Sequence, residues 1–385
     1  MTRNIYKRLG EFIAPYLEKN VGRKVTLSQG INNNKYFQAP RQVAVDSEND
    51  QIVHTGQFAY NKATTRNGDK ISIAYREGPD CTVSSAYQVF YIKDEDKLNP
   101  YYLLMWFKRP EFDRYARFKS FGSAHEFFSW EEMCNVFMPI PDIDEQRKIV
   151  AKYKAVEQQI ANNNYFIKTL EKTAQTIYHH IFIDNINPEH VKKDWQIVKL
   201  GTYCDINTDN LNSKDNYQTI RYLDTSSVTE NVFEDFQILH NSIDEFPSRA
   251  KRKVKYNDLV YSTVRPNLRH YGIIKGDPTN VIVSTGFAVI RSNNPNISNE
   301  LLYMILTAPK TIEIFNGIAE MSTTTYPSIN SENIEDLKIA IPIVLGSEIT
   351  GLNKKLGVIF DSIYSINQEN KILSKILNLL LSRLS

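Results

Sequence analysis

The chain has 385 residues, of which 42% are hydrophobic, and its 46 basic and 44 acidic side chains give a formal charge of +2. This length allows two or three globular domains, and the near balance of charge gives little support for a uniformly basic nucleic-acid binder. Three scattered cysteines, Cys81, Cys134 and Cys204, form no CxxC or Cys/His cluster, which argues against a disulfide framework or a zinc site. The sequence shows no signal-peptide core and no apolar run of bilayer length, so we expect a cytoplasmic protein without membrane contact.

The first part of the chain, residues 1–142, has the pattern of an α+β domain. Alternating β-branched and aromatic residues predict strands at residues 70–75 and 88–92. The pair Asn99-Pro100, followed by an apolar run, predicts a helix whose N-cap is Asn99. Strands and short helices therefore alternate in this domain.

Residues 143–183 have a different periodicity. Apolar residues recur at alternating steps of four and three from Ile149 to Ile181, and no proline interrupts them. Such a heptad seam predicts a long coiled-coil helix. The seam contains one polar residue, Asn163.

The next part, residues 184–342, repeats the first domain at an offset near 200 positions. Several segments match in the same order, which indicates a tandem repeat. The matched pairs are 9–10 with 200–201, 57–60 with 258–261, 83–90 with 283–290, and 99–105 with 299–305. We therefore expect a second α+β domain, with strands at residues 281–290 and 337–343 and a helix capped by Asn299.

The last part, residues 343–385, carries a second heptad seam with one asparagine, Asn370. Two matched helices are expected to pair with each other. A parallel pair in repeat register would place Asn163 against Ile366, and a buried amide without a partner costs about 1–3 kcal/mol. An antiparallel pair lets Asn163 face Asn370 while the other seam positions meet apolar partners. We therefore predict antiparallel helices, each of about 39 residues and roughly 58 Å long.

The order of domain, long helix, domain, long helix resembles the specificity subunits of Type I restriction-modification enzymes. The features that carry the resemblance are the Leu-Gly openings at residues 9–10 and 200–201, the segment 258–262, and Pro139-Ile140-Pro141 followed by Glu145-Gln146. The second exit departs from the family pattern, because no Glu-Gln pair follows Pro342.

This resemblance implies that each α+β domain is a target-recognition domain for one half of a bipartite, asymmetric DNA site. The paired helices would set the spacer and dock two methylation subunits, and a restriction subunit can join them. The chain itself would be a non-catalytic subunit of a DNA adenine N6-methyltransferase or restriction complex. It would need no cofactor of its own, since S-adenosylmethionine, Mg²⁺ and ATP would belong to the partner subunits.

Candidate DNA-binding residues lie in polar loops of both domains. Arg pairs well with guanine and Asn or Gln with adenine, while Lys, Arg, Ser and Thr hold phosphates. In the first domain the candidates are Asn32, Asn33, Asn34, Lys35, Asn61, Lys62, Thr64, Thr65, Arg66, Ser120, Ser123 and His125. In the second they are Lys251, Arg252, Lys253, Thr263, Arg265, Asn267, Arg269, Ser322, Thr323 and Tyr326. An ordinary solvated loop is the alternative for each of them; residues 62–66 and 265–269 are favoured because they follow the matched Tyr60 and Tyr261.

Two catalytic patterns compete with a reading role. Asp80, Glu95 and Lys97 satisfy the loose acid-acid-lysine pattern of a stand-alone Mg²⁺-dependent nuclease. The sequence Asn99-Pro100-Tyr101-Tyr102 is similar to the motif with which adenine methyltransferases hold a flipped base, but it lacks the second proline, and the second domain has lost it. A helix cap accounts better for this segment.

Overall fold

The structure, a computed structural model, describes residues 6–40, 48–63, 70–120, 126–182, 194–212, 215–322 and 326–384. The chain folds into two compact units: residues 1–162 with 371–385, and residues 163–370. The division falls within both long helices, so each unit contains one α+β domain and a segment of each helix.

The first unit is built around an antiparallel sheet with strand order β2-β9-β6-β7. Two further strand pairs, β1-β10 and β5-β8, and the hairpin β3-β4 surround this sheet. The described strands are β1 (Tyr6–Arg8), β2 (Ile13–Tyr16), β3 (Gly30–Ile31), β4 (Phe37–Gln38), β5 (Gln51–Val53), β6 (Phe58–Asn61), β7 (Ile73–Tyr75), β8 (Cys81–Val83), β9 (Tyr87–Ile92) and β10 (Phe137–Pro139). The described helices are α1 (Pro100–Phe107), α2 (Pro110–Phe118) and α3 (Trp130–Cys134), followed by the long helix α4 (Ile143–Phe182), which continues into the second unit.

Aromatic packing forms the core of the first domain. Phe58 of β6 stacks on Phe90 of β9 with ring centroids 5.1 Å apart, and Phe107 of α1 meets Phe58 edge-on at 6.0 Å. All three side chains are fully buried. The α1 helix therefore covers one face of the sheet through its apolar side chains.

The second unit repeats the central sheet, with strand order β12-β21-β18-β19, and adds a mixed sheet, β16-β13-β20-β17. Its described strands are β11 (Trp195–Lys199), β12 (Cys204–Ile206), β13 (Thr219–Leu223), β14 (Val228–Thr229), β15 (Val232–Phe233), β16 (Gln237–His240), β17 (Ala250–Lys253), β18 (Leu259–Ser262), β19 (Tyr271–Ile273), β20 (Val281–Ser284), β21 (Phe287–Ser292) and β22 (Lys338–Pro342). The described helices are α5 (Asn299–Leu306), α6 (Pro309–Glu320), α7 (Ser331–Glu335) and α8 (Ser347–Ser382). The matching strand order of the two central sheets confirms the predicted repeat and the α+β class.

The repeated Leu-Gly pairs have a packing reason. Leu9 and Leu200 are fully buried in short 3₁₀ turns. A Cβ atom on Gly10 would lie 2.8 Å from the Cβ atom of Cys134, and one on Gly201 would lie 3.1 Å from that of Glu335. The first turn therefore approaches α3 too closely for a Cβ atom, and the second approaches α7 more tightly than most Cβ contacts.

Two local predictions for the second domain are wrong. The stretch 281–290 is two strands, because β20 pairs with β13 and β17, whereas β21 joins β12 and β18 in the other sheet. The N-cap of α5 is Ser298, whose hydroxyl accepts from the backbone N–H of Leu301. Asn299 is the first residue of the helix, and its amide oxygen instead accepts from the backbone N–H of Ser292 at 2.7 Å.

Candidate DNA interface and the paired helices

The long helices α4 and α8 pack against each other in both units. In the first unit, Val150 and Tyr153 near the start of α4 share a core with Leu381 and Leu384 at the end of the chain. In the second unit, the end of α4 shares a core with the start of α8; its members include Ala174, Tyr178, Ile349, Leu352 and Leu356. The helices therefore run antiparallel, as predicted.

The asparagines of the two seams meet within the second unit. The Asn163 amide nitrogen donates to the Asn370 amide oxygen at 2.9 Å, and the Asn370 amide nitrogen donates to the Asn164 amide oxygen at 3.0 Å. Asn163 is only 8% exposed. An amide contact between the two seams can select one register, because another register would bury these polar groups against apolar side chains.

The exits of the central strands β6 and β18 have the same arrangement in both units. After β18, Val264 forms a β-bridge with Ser328, and after β6, Ala63 forms one with Phe127. The backbone N–H of Phe128 donates to the Lys62 carbonyl. In the second unit, the backbone N–H of Ile329 likewise donates to the Thr263 carbonyl. The strand exits favoured from the sequence therefore lie beside the segments that precede α3 and α7. Phe127 lies at the first strand exit with 48% of its side chain exposed, and it is not among the DNA-binding candidates predicted from the sequence.

Arg265 is an exposed basic candidate at the second exit. It occupies the left-handed region with φ +49°, and its backbone N–H donates to the Pro327 carbonyl. Its guanidinium lies 4.9 Å from the ring centroid of Tyr326, which is itself 55% exposed. This contact supports the guanidinium from one side while the residue remains exposed. Asn267, in the same turn, is also exposed.

Arg269 ends this turn but has a protein partner. Its guanidinium donates to the Glu230 carboxylate at 2.7 Å, and this hydrogen bond raises the pKa of Arg269. Both side chains are about half exposed. A contact between Arg269 and DNA would have to replace or share this ion pair.

The basic run on β17 is also largely engaged by neighbours. The Lys253 ammonium donates to Asp215 at 2.8 Å, and the Arg252 guanidinium donates to the Asn210 amide oxygen at 2.7 Å. Burial lowers the pKa of Arg252. Lys251 is exposed. Of the three, Lys251 is the one that the structure presents to solvent.

Candidates in the first domain differ widely in exposure. Lys35 is 4% exposed, and its ammonium donates to the Asp113 carboxylate at 2.5 Å, so it is buried where the sequence predicts an exposed contact. The Ser120 hydroxyl is likewise buried and donates to the Ala116 carbonyl at 2.6 Å. Asn32 closes the β3-β4 turn by accepting from the Tyr36 backbone N–H. The exposed candidates in this turn are Asn33 and Asn34.

The remaining candidates lie at the strand exits, after helix α6 or outside the described residues. Asn61 accepts from the backbone N–H of Ala63, the Thr263 hydroxyl donates to the Gly286 carbonyl, and Ser322 follows the end of α6. The candidates outside the described residues are Thr64, Thr65, Arg66, Ser123, His125 and Thr323.

Asp80, Lys97 and Asn99, three residues of the competing catalytic patterns, have structural partners. The Asp80 carboxylate lies 2.6 Å from the His54 ring and accepts from the Thr55 backbone N–H, whereas Lys97 pairs with Asp94. Within the described ranges, no three His, Cys, Asp or Glu side chains are arranged to hold a metal. The Asn99 side chain accepts from the backbone N–H groups of Tyr101 and Tyr102, which confirms its role as a helix cap.

No helix in the described part of the chain is both long and apolar enough to cross a bilayer. The sequence profile of the Type I restriction modification DNA specificity domain matches residues 11–172 and 192–378. The chain is 32% identical to the Type I restriction enzyme HindI specificity subunit of Haemophilus influenzae over 126 residues, which is 33% of this chain and 27% of that protein. It is 23% identical to the putative type I restriction enzyme MjaX specificity subunit of Methanocaldococcus jannaschii, across 75% of this chain and 69% of the relative.

The fold is similar to the crystal structure of the Type I restriction-modification system S subunit from M. genitalium. The TM-score is 0.62 at 12% identity, covering 100% of this chain and 97% of the other.

Proposed function

The chain belongs to the Type I restriction-modification DNA specificity family, and on that premise we propose that each of its α+β domains reads one half of a bipartite, asymmetric DNA site. The observation that carries the proposal is the strand-exit arrangement found in both units, with Arg265 exposed beside Tyr326 in the second. Arginine reads guanine through paired hydrogen bonds, and polar and basic neighbours hold phosphates. Two copies of one reading surface match a site with two halves.

The paired helices would set the length of the spacer and dock two methylation subunits. Apolar side chains on their outer surfaces support docking, because they are 76% exposed at Tyr165, 52% at Phe166 and 67% at Val358. Exposed apolar groups of this size are typical of protein contacts. The methylation subunits would use S-adenosylmethionine to methylate the N6 of adenine, and a restriction subunit would join the same complex.

The chain would contribute recognition and leave the chemistry to its partners. The alternative, a stand-alone nuclease, requires Asp80 and Glu95 to hold Mg²⁺ with Lys97 beside it, but Asp80 is paired with His54 and Lys97 with Asp94. Purified alone with DNA and Mg²⁺, the chain is expected to cut nothing. Cleavage that disappears in Asp80→Asn and persists in an Asp94→Asn control would establish the nuclease instead.

A domain exchange tests the reading role directly. Residues 184–342 are replaced with the corresponding domain of another family member, and the methylated motif is determined by methylome sequencing of cells that contain the methylation subunits. We expect one half of the motif to change and the other to remain. Exchange of residues 1–142 should change the opposite half. A single exchange that alters both halves would refute the assignment of one domain to one half-site.

A further inference from the structure

The first unit contains a lysine ammonium enclosed by aromatic rings and a carboxylate. Lys108 directly follows α1 and is only 11% exposed. Its ammonium donates to the Glu157 carboxylate at 2.7 Å and to the Tyr36 hydroxyl at 3.1 Å. It also lies 4.9 Å from the ring centroid of Tyr36 and 5.3 Å from that of Tyr153. These contacts stabilise a buried cation through its charge and through the faces of the rings.

The corresponding position in the second unit is Thr307. Helices α1 and α5 each have eight residues, and each ends three residues before a proline that opens the next helix, Pro110 or Pro309. Lys108 and Thr307 are the C-caps of these helices. The Thr307 hydroxyl donates to the Tyr303 carbonyl, so the C-cap position of α5 carries an uncharged side chain.

The long helices correspond in the same way. The Gln146 side chain of α4 accepts from the N–H of the α1 cap residue, Asn99, and the Asn353 side chain of α8 accepts from the N–H of the α5 cap residue, Ser298. Seven residues after each of these side chains, both helices carry an aromatic ring that faces the domain, Tyr153 in α4 and Phe360 in α8. The second unit therefore keeps an aromatic ring at the position of Tyr153 but has Thr307 at the position of Lys108.

A cavity of about 250 Å³ lies at this place in the second unit. Its walls include Thr307 and three aromatic rings, those of Tyr271, Tyr303 and Phe360. The Tyr303 ring meets the Tyr271 ring edge-on at 5.6 Å and the Phe360 ring at 5.0 Å. The volume is below the roughly 300–1,000 Å³ of pockets for drug-sized ligands, so it suits a small molecule.

One carboxylate among the residues that line the cavity is that of Glu171 of α4. Within the described ranges its carboxylate has no hydrogen-bond or ion-pair partner. Burial raises the pKa of Glu171, the charge of Glu230 adds to the effect, and the nearby charge of Lys168 opposes it. Glu230 itself is paired with Arg269 at the rim, where His179 also lies. Glu171 is therefore the carboxylate that remains available to a cation.

We propose that this cavity binds a primary alkylammonium ion, such as one end of a short aliphatic diamine, in the place that Lys108 occupies in the first unit. The Glu171 carboxylate accepts hydrogen bonds from the ammonium, and the rings of Tyr271, Tyr303 and Phe360 enclose it as those of Tyr36 and Tyr153 enclose Lys108. Because the α4, α8 and domain residues around the cavity all belong to the second unit, an occupant fastens this domain to its helices.

The test is isothermal titration of the full-length chain, free of DNA, with 1,4-diaminobutane, and with 1,4-butanediol as its uncharged counterpart. We expect saturable one-to-one binding of the diamine and none of the diol. Glu171→Gln should weaken binding by at least about fivefold, because the ammonium loses its counter-charge. The matched control is Glu313→Gln, which alters an exposed glutamate of α6 outside the cavity and should bind as the wild type does.

A second variant replaces the ligand with a side chain. Thr307→Lys restores the residue of the first unit, so it should raise the melting temperature and abolish diamine binding. Absence of saturable binding by the wild type, equal affinity in Glu171→Gln, or diol binding as tight as diamine binding would overturn the proposal. Undiminished binding in a folded Thr307→Lys variant would likewise place the diamine elsewhere on the chain.

Discussion

The Asn163 amide nitrogen donates to the Asn370 amide oxygen at 2.9 Å, which joins the single polar residue of one helix seam to that of the other. Their neighbours along both seams are apolar, and several are buried in the same core. The pair therefore opposes any slip of one helix along the other, because a slip would leave both amides without partners.

Asn163→Ala is expected to lower the free energy of unfolding by about 1–3 kcal/mol, because the Asn370 amide oxygen loses its donor in a partly buried seam. Chemical denaturation measures the change. The exposed neighbour Asn162→Ala is the control and should stay within about 0.5 kcal/mol of the wild type. A double replacement of Asn163 and Asn370 by leucine should recover the stability. Equal unfolding energies for Asn163→Ala and Asn162→Ala would show that the pair does not stabilise the seam.

Arg265→Ala is expected to weaken DNA binding by the complex with methylation subunits by about 1–3 kcal/mol if its guanidinium reads a guanine, with the loss confined to one base position. A phosphate contact would instead weaken all sequences alike and reduce the salt slope by about 1. Fluorescence anisotropy across a salt series separates the two. Lys310→Ala, an exposed lysine of α6, is the basic control. If Arg265→Ala and Lys310→Ala bind alike, Arg265 does not contact DNA.

Arg269→Ala should weaken DNA binding less than Arg265→Ala does. The reason is the ion pair with Glu230, which a DNA contact must replace or share. Glu230→Gln is expected to increase affinity, because it frees the guanidinium and removes a negative charge near the strand exit. The same anisotropy assay measures all three variants. A larger loss for Arg269→Ala than for Arg265→Ala, or unchanged affinity in Glu230→Gln, would contradict this order.

The stability of the first unit should depend on pH through His54. Its two ring nitrogens lie 2.6 Å from the Asp80 carboxylate and 2.9 Å from that of Glu18. Hydrogen bonding to Glu18 and Asp80 raises the pKa of His54 from 6.5. Hydrogen bonding to Tyr16 and His54 lowers the pKa of Glu18 from 4.5, and bonds from Thr55 and His54 lower that of Asp80 from 3.8.

The raised histidine pKa gives stability that is fully present below pH 6.5 and is lost as the pH rises through the folded value. The lowered carboxyl pKa values give stability that is present above pH 4.5 and is lost on acidification. The melting temperature should therefore gain most from this cluster between about pH 4.5 and 6.5. His54→Gln should therefore lower the melting temperature most in this pH range and lower it less at pH 8. A difference that is constant between pH 5 and 8 would exclude titration of His54 as the cause.

Insertion of one heptad into both α4 and α8 should lengthen the nonspecific spacer of the recognised site without changing the bases read. Each helix gains about 10 Å, which is close to three base pairs at 3.4 Å per pair. Methylome sequencing reports both the bases and the spacer. Insertion into α4 alone is the control. It should impair methylation of the recognised site, because the apolar seams of α4 and α8 would no longer have matching lengths. A changed base motif, or an unchanged spacer in an active double insertion, would contradict the role of the helices as a ruler.

The sequence by itself determined the repeat, the α+β class and the antiparallel pairing of the long helices. These features are written in local periodicity and in order along the chain, where a heptad seam with one asparagine allows few registers. The cap at Asn99 was also predictable, since a cap depends on residues within one helical turn.

Tertiary structure decided what depends on contacts between distant residues. The sequence shows neither that Lys35 is buried against Asp113 nor that Arg269 pairs with Glu230. Residues 281–290 carry apolar runs on both sides of Ser284, Thr285 and Gly286, and the pairing partners assign the two runs to different sheets. The one-residue shift from Asn299 to Ser298 in the cap aligns Lys108 with Thr307, and Thr307 lines a cavity together with Glu171. Burial and charge pairing are set by which side chains the fold brings together, and that information lies in three-dimensional proximity rather than in sequence spacing.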